Sequence, residues 1–332
     1  MNLSFHTYGR ANLSSFTSQL KADILDLSAD LSSGKHTNLG KAQAVQIPLI
    51  QTIQSDLQNA AARAIIRQDA DFFFTQTELS LAGITAHIKA ENERLLNLSS
   101  APQEMASPNA SAKAESIFTA LVGLINRQSG GKFFFSGHQS HRAPLSDAKT
   151  ILTALRQDLG TTYTPDQLNT ALNNWFDGAS ARFEQDFYHG DTSRHQTFQT
   201  NSGETLSSPL RGNSEAVKMM LKTVAQLILA IDAPMPAPDL AQIYQETATS
   251  LQSALDNFQQ VRANLGVTHQ RLDQQNAFAK KDKNALELQM AELTDINKYD
   301  TTVALQDAET RLQNLYLITA KLSKLSLIHF LK

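Results

Sequence analysis

The feature that most limits how this chain can fold lies in its C-terminal third. Leu240, Tyr244, Thr247, Leu251, Ala254, Phe258, Val261, Leu265, Thr268 and Leu272 are spaced alternately four and three residues apart. That rhythm places them all on one seam of a long helix and is the pattern of a coiled coil. Leu251, Phe258, Val261, Leu265 and Leu272 are expected to form an intramolecular seam, which Leu286, Met290 and Leu293 carry further.

The other end of the chain has a matching stripe. Leu13, Phe16, Leu20, Ile24, Leu27 and Leu31 recur at three- and four-residue spacing, and Gly34 follows Ser32-Ser33 where a helix would stop. A second helical stretch is expected from Lys41 to Leu98, with Leu57, Ala61, Ala64, Phe72, Leu79, Ala82 and Ala86 as its stripe. A turn is expected at Ser99–Pro108, and the helical period restarts at Ala114, Ile117, Leu121 and Leu124. The tail resumes it with Leu305, Ala308, Leu312, Leu315, Leu322 and Leu325. A lone amphipathic helix leaves its stripe in water, so the terminal helices must pair with each other or with other copies. The contents agree: 14 Gly and 9 Pro in 332 residues leave few breakers for a turn-rich sheet protein.

Between the arms the character changes. Residues 142–211 hold Trp175, the single tryptophan, and short alternating runs at Phe183–Tyr188 and Gln196–Thr200, with a third at Thr205–Leu210, that read as strands. Met219–Ile231 reads as a buried helix, and Ala233-Pro-Met-Pro-Ala-Pro238 as a stiff link into the C-terminal arm. The expected fold is mainly α: a long antiparallel helical bundle or coiled coil from both chain ends, with a small inserted α+β domain. Its divisions are 1–38 with 295–332 as a terminal coiled coil, 39–141 with 212–294 as a helical bundle, and 142–211 as an outward-facing insert.

The charge balance gives no footprint for nucleic acid, with 29 basic and 32 acidic residues and no basic cluster. The absence of cysteine removes disulfides and thiolate metal sites. No apolar run is long enough to span a bilayer, and the N-terminus lacks the pattern of a cleaved secretory signal. Ser129-Gly-Gly-Lys132 has Asn126 where a phosphate loop needs glycine, so it reads as a turn. His138 and His141 lack a third metal ligand and read as surface residues. His189, Asp191 and His195 near Glu184 and Asp186 have no nucleophile motif beside them and read as a polar outer face. Phe72-Phe73-Phe74 is either arm packing or a contact with a neighbouring subunit. The expectation is no enzyme, no cofactor and no metal.

Three segments carry a family resemblance. Leu31-Ser-Ser-Gly34 resembles the LSSG that closes the first helix of flagellins and of the hook–filament junction proteins. Gly130-Gly131-Lys-Phe-Phe-Phe-Ser-Gly137 resembles the G-x-Y-L-F-S-G of the junction family, hook-associated protein 3. The ending Lys321-Leu-Ser-Lys-Leu-Ser-Leu-Ile-His-Phe-Leu331 is similar to its S-x-L-S-L-x-x-Y/F-L tail. A flagellin would carry DDAAG soon after the SSG, where this chain reads Asn38-Leu-Gly-Lys-Ala-Gln.

The resemblance covers both arms and barely touches 142–211. It implies a structural protein of the bacterial flagellum that joins hook to filament as a ring of about eleven copies assembled through terminal helices. It also implies an extracellular location, export by the flagellar type III apparatus without a cleaved signal, and contacts with a neighbouring hook-associated protein and flagellin. An export chaperone would hold the C-terminal helix beforehand. The expected assembly residues are Leu13, Phe16, Leu20, Ile24, Leu27, Leu31, Leu305, Leu312, Leu315, Leu322 and Leu325. The alternatives are a flagellin or a non-flagellar coiled-coil binding module.

Overall fold

In a computed structural model the chain is described over residues 3–38, 40, 46–98, 108–178, 180–201 and 204–330, with side chains described except at 3–12, 108, 201 and 322–330. The fold is mainly α-helical with two small two-stranded sheets. Its elements are α1 (Leu3–Ser33), α2 (Ile47–Leu98), α3 (Pro108–Ile125), β1 (Gln128–Ser129), β2 (Lys132–Phe133), α4 (Ala148–Leu159), α5 (Pro165–Phe176), β3 (Thr197–Asn201), β4 (Glu204–Ser207), α6 (Glu215–Asp232), α7 (Ala237–Thr294) and α8 (Lys298–Phe330). They form two compact units, one of residues 1–61 and 280–332 and one of residues 62–279. Helices α2 and α7 contribute residues to both. The turn expected at Ser99–Pro108 lies outside the described residues, apart from Pro108, which opens α3.

The larger unit holds one continuous apolar core. The seam of α7 lies in it: Leu240, Tyr244, Leu251, Ala254, Phe258, Leu265 and Leu272 are buried, and Val261 is packed against them half-buried. They share the core with Phe74, Leu81 and Ile84 of α2, Phe118 and Leu121 of α3, and most of α6. Burial pushes the Tyr244 hydroxyl up to about 12, with Arg94 opposing and Glu91 adding to the shift. Glu91 itself is buried and paired through both oxygens with Arg94, at 2.8 and 2.5 Å.

The stripe expected on α2 is on the wrong face. Phe72 and Leu79 are exposed, as are Ala61, Ala64 and Ala86, and Leu57 and Ala82 are half-buried. The buried face runs through Arg67, Ala70, Phe73, Phe74, Thr77, Ser80, Leu81, Ile84, Ile88, Glu91 and Leu95. Polar residues sit inside this face because the helix itself satisfies them. The hydroxyls of Thr77 and Ser80 donate to the carbonyls of Phe73 and Gln76 one turn back, at 2.8 and 3.1 Å.

In the 142–211 region, α4 is capped by Asp147, which accepts from the Thr150 amide at 2.9 Å. Helix α5 opens with a capping box between Thr164 and Gln167. The run Phe183–Tyr188, read from alternation as a strand, is instead one turn of π-helix (Phe183–Phe187), with the Tyr188 amide donating to the Phe183 carbonyl at 2.9 Å. Phe183 and Phe187 are both buried beside Trp175 and Phe176 of α5, and a helical turn brings residues four apart to the same side. The strand expected at Gln196–Thr200 is β3, and the first part of the run at Thr205–Leu210 lies in β4. They pair antiparallel with Phe198 opposite Leu206, both buried.

The Gly130-to-Gly137 segment is a tight hairpin followed by a buried corner. Gly130 and Gly131 have φ of 57° and 75°, so the β1–β2 turn uses the left-handed backbone that glycine adopts freely. Phe134 and Phe135 are buried, and Phe73 meets Phe134 edge-on at 5.4 Å. Gly137 has φ of 62°, and a Cβ there would stand 2.4 Å from the Arg194 carbonyl oxygen.

Candidate assembly interface

In the smaller unit α1 and α8 pack along one another. Their antiparallel sense is fixed by the bridge between Lys35 and Asp295 at one end and by Lys21 Nζ, which lies 5.9 Å from the Tyr316 ring centre. On α1, Leu20 is buried and Leu13, Ile24, Leu27 and Leu31 are half-buried. Phe16 falls outside this face and is 57% exposed, while Thr17 takes the half-buried place beside it. On α8, Thr301 and Ala308 are buried and Leu305, Leu312 and Leu315 half-buried. The side chains of Leu322 and Leu325 lie outside the described residues.

A turn-to-turn clasp holds the helix ends. Gly34, with φ of 74°, donates its amide to the Asp30 carbonyl at 2.8 Å, the left-handed stop expected after Ser32-Ser33. The next residues cross to the α7–α8 link: the His36 amide donates to the Thr294 carbonyl at 2.8 Å and the Ile296 amide to the Gly34 carbonyl at 3.2 Å. Asp30, buried at the end of the stripe, anchors the turn from inside. Its Oδ1 accepts from the amide and the hydroxyl of Thr37, both at 2.6 Å, and its Oδ2 lies 3.2 Å from His36 Nδ1. Burial by itself would raise the Asp30 pKa, but the hydrogen bonds from Thr37 and His36 hold it below the usual carboxylate value. Sequence reasoning missed Asp30. Its one signal is its place three residues after Leu27 and next to Leu31, at the end of the stripe.

Two helices cover only one side of each stripe. Besides the half-buried leucines, Leu25 of α1 is 70% exposed, and Tyr299, Val303, Tyr316, Leu317 and Ile318 of α8 are also exposed. This arrangement can bury more apolar surface against further helices.

Of the other sequence candidates, His195 is half-buried with no hydrogen-bond partner at its Nδ1 among the described residues. His138 and His141 are exposed, and among the described residues no group of three acidic or imidazole side chains is placed to hold a metal ion. Asp191 accepts from the amides of Ser193 and Arg194, and these bonds hold its carboxyl far below the usual range. His189 meets Ser146 at 2.9 Å, Glu184 accepts from Asn213 at 2.7 Å, and Asp186 pairs with Arg182 at 3.2 Å. Of Phe72-Phe73-Phe74, the last two join the core and Phe72 is exposed. No helix among the described residues is long and apolar enough to cross a membrane.

No protein-family model matches the sequence, and no curated protein does. Solved structures do match. FlgL from Bacillus cereus superposes with a TM-score of 0.51 at 16% identity, over 71% of this chain and 96% of its own. A putative flagellar hook-associated protein from Vibrio parahaemolyticus gives 0.54 at 13% identity, over 76% of this chain and 99% of its own. The likeness is one of fold. It spans nearly the whole of both flagellar proteins and most of this chain.

Proposed function

We propose that this chain is a structural protein of the bacterial flagellum, of the hook-associated kind, with a mechanical rather than a catalytic role. The observation that carries the reading is the shared fold with two flagellar proteins, FlgL and a putative hook-associated protein, at nearly full coverage of both. The half-covered stripes of α1 and α8 support it, since they leave apolar surface for helices of neighbouring copies. In the finer form of the proposal the chain joins hook to filament as a ring of about eleven copies, a closed heterologous arrangement. Its neighbours are another hook-associated protein on one side and flagellin on the other. It is exported by the flagellar type III route with a chaperone on the C-terminal helix, and works outside the cell. The lack of a DDAAG-like element after Gly34 favours the junction over the filament.

Immunogold labelling of purified flagella tests this. A single band of label at the hook–filament boundary is the expected result. Label along the whole filament would make the chain a flagellin, and no label on hook, boundary or filament would overturn the proposal.

A further inference from the structure

Residues of α5, α6 and α7 line a solvent-open cavity of about 450 Å³. It lies wholly within the 62–279 unit. Helix α7 supplies Gln242, Gln245, Glu246 and Thr249, which at three- and four-residue spacing share one face of the helix. Helix α5 supplies Asn169 and α6 supplies Gln226. Two of the walls are tied together through Glu246. One of its carboxylate oxygens accepts from Gln242 Nε2 at 2.8 Å and the other from Asn169 Nδ2 at 3.3 Å. Gln226 is the most buried of these side chains at 5% exposed, and its Nε2 has no acceptor among the described residues. A buried amide nitrogen without an acceptor is costly, and a ligand oxygen in the cavity would relieve that cost.

The lining selects the chemistry of the ligand. No lysine, arginine or aromatic ring among the described residues lines the cavity. Lys222, one turn before Gln226 on α6, is tied to Asn173 at 2.8 Å and Asp177 at 2.6 Å. An anion would therefore meet the Glu246 carboxylate with no cation to offset it. An apolar ligand would leave the Gln226 amide unmatched. A helical peptide docks through apolar anchors and an extended one through a sheet edge, and the walls here offer neither. What remains are donors and acceptors side by side. Gln226, Gln242, Gln245 and Asn169 each carry an NH2 group and a carbonyl oxygen, and Glu246 has acceptor sites beyond the two in use. The Thr249 hydroxyl donates to the Gln245 carbonyl at 3.0 Å and keeps its oxygen as an acceptor. Sugar hydroxyls, each a donor and an acceptor at once, match such a set, and the volume falls in the usual range for small ligands, about 300–1,000 Å³.

We propose that this cavity binds a neutral pyranose sugar, with Glu246 accepting from its hydroxyls and Gln226 donating to one of its oxygens. The proposal stands whether or not the flagellar reading does.

The test follows the glutamine side-chain amide signals of the full chain by nuclear magnetic resonance. The Gln226 signal is identified by its loss in Gln226→Leu and that of Gln275, buried outside the cavity, by its loss in Gln275→Leu. D-Glucose, D-galactose and N-acetyl-D-glucosamine are titrated in separately. With at least one of them the Gln226 signal should shift and saturate while that of Gln275 stays in place. In calorimetry with that sugar, Glu246→Gln and Gln226→Leu should each bind about tenfold more weakly, the loss of one hydrogen bond. The near-ultraviolet signal of Trp175 checks that both variants keep their fold. A sugar that binds both folded variants as tightly as the wild type would bind elsewhere, and would overturn the proposal. So would the absence of a saturating Gln226 shift with all three sugars, or an equal shift with glycerol at the same concentration, since the cavity would then hold water or any small polyol.

Discussion

Among the described glycines, Gly137 combines a left-handed backbone with a filled Cβ position. Its φ of 62° is a left-handed conformation, and the Arg194 carbonyl occupies the space a Cβ would need. Gly137→Ala should therefore lower stability by at least about 2 kcal/mol in chemical denaturation, since left-handed strain alone costs roughly 1–2 kcal/mol. Gly34 has a similar φ, but no atom lies within 4 Å of its Cβ position, so Gly34→Ala carries the strain without the clash. Asp30 sets the pH response of the terminal clasp. Its folded-state pKa is depressed, so its contribution to stability is present above about pH 4 and is lost as the pH falls through the lower folded value. In Asp30→Asn that part of the acid sensitivity should disappear, and the difference in stability between variant and wild type should shrink as the pH is lowered. Denaturation midpoints measured from pH 7 to pH 2 check this. A constant difference across that range would assign the Asp30 contacts no charge dependence.

At the scale of elements, the seam of α7 and the exposed face of α2 make opposite predictions. Phe258→Ala should destabilise by about 3–5 kcal/mol, as large-to-small changes in a filled core do. Phe72→Ser, at a position 47% exposed, should stay within about 0.5 kcal/mol in the isolated chain. Urea denaturation of both variants is the measurement. The same contrast shows what was legible in the sequence. The α7 seam could be read because every heptad position is apolar or a small hydroxyl. On the terminal helices the described leucines of the two stripes are half-buried or buried, and Phe16 falls outside that face. The α2 face could not be read, because Arg67, Thr77, Ser80 and Glu91 lie inside it while Phe72 and Leu79 lie outside. The hydroxyls of Thr77 and Ser80 bond within their own helix, and Glu91 pairs with Arg94 on the next turn, so hydrophobicity alone gives no sign of their burial. The Phe183–Tyr188 run failed differently. Its aromatic residues at 183 and 187 fit a turn as well as a strand, and the aromatic cluster around Trp175 decides between them.

At the scale of the whole molecule, the Gly130-to-Gly137 segment and the LSSG turn are both places where the backbone needs glycine, which gives two of the three resembling motifs a physical reason to exist. The third, the C-terminal ending, belongs to α8 and acts, on the proposal made above, through neighbouring copies. If α1 and α8 are assembly helices, Leu312→Asp should leave the 62–279 unit folded, as read by the near-ultraviolet signal of Trp175, while removing function in the cell. Its half-buried place on α8, in the unit of residues 1–61 and 280–332, is what makes that separation expected.

The central claim is that the chain is a structural part of the flagellum needed between hook and filament. Electron microscopy of cells lacking it, with an assay for flagellin in the medium, tests this most directly. Such cells should carry hooks without filaments and lose flagellin to the medium. Normal filaments on these cells would contradict it.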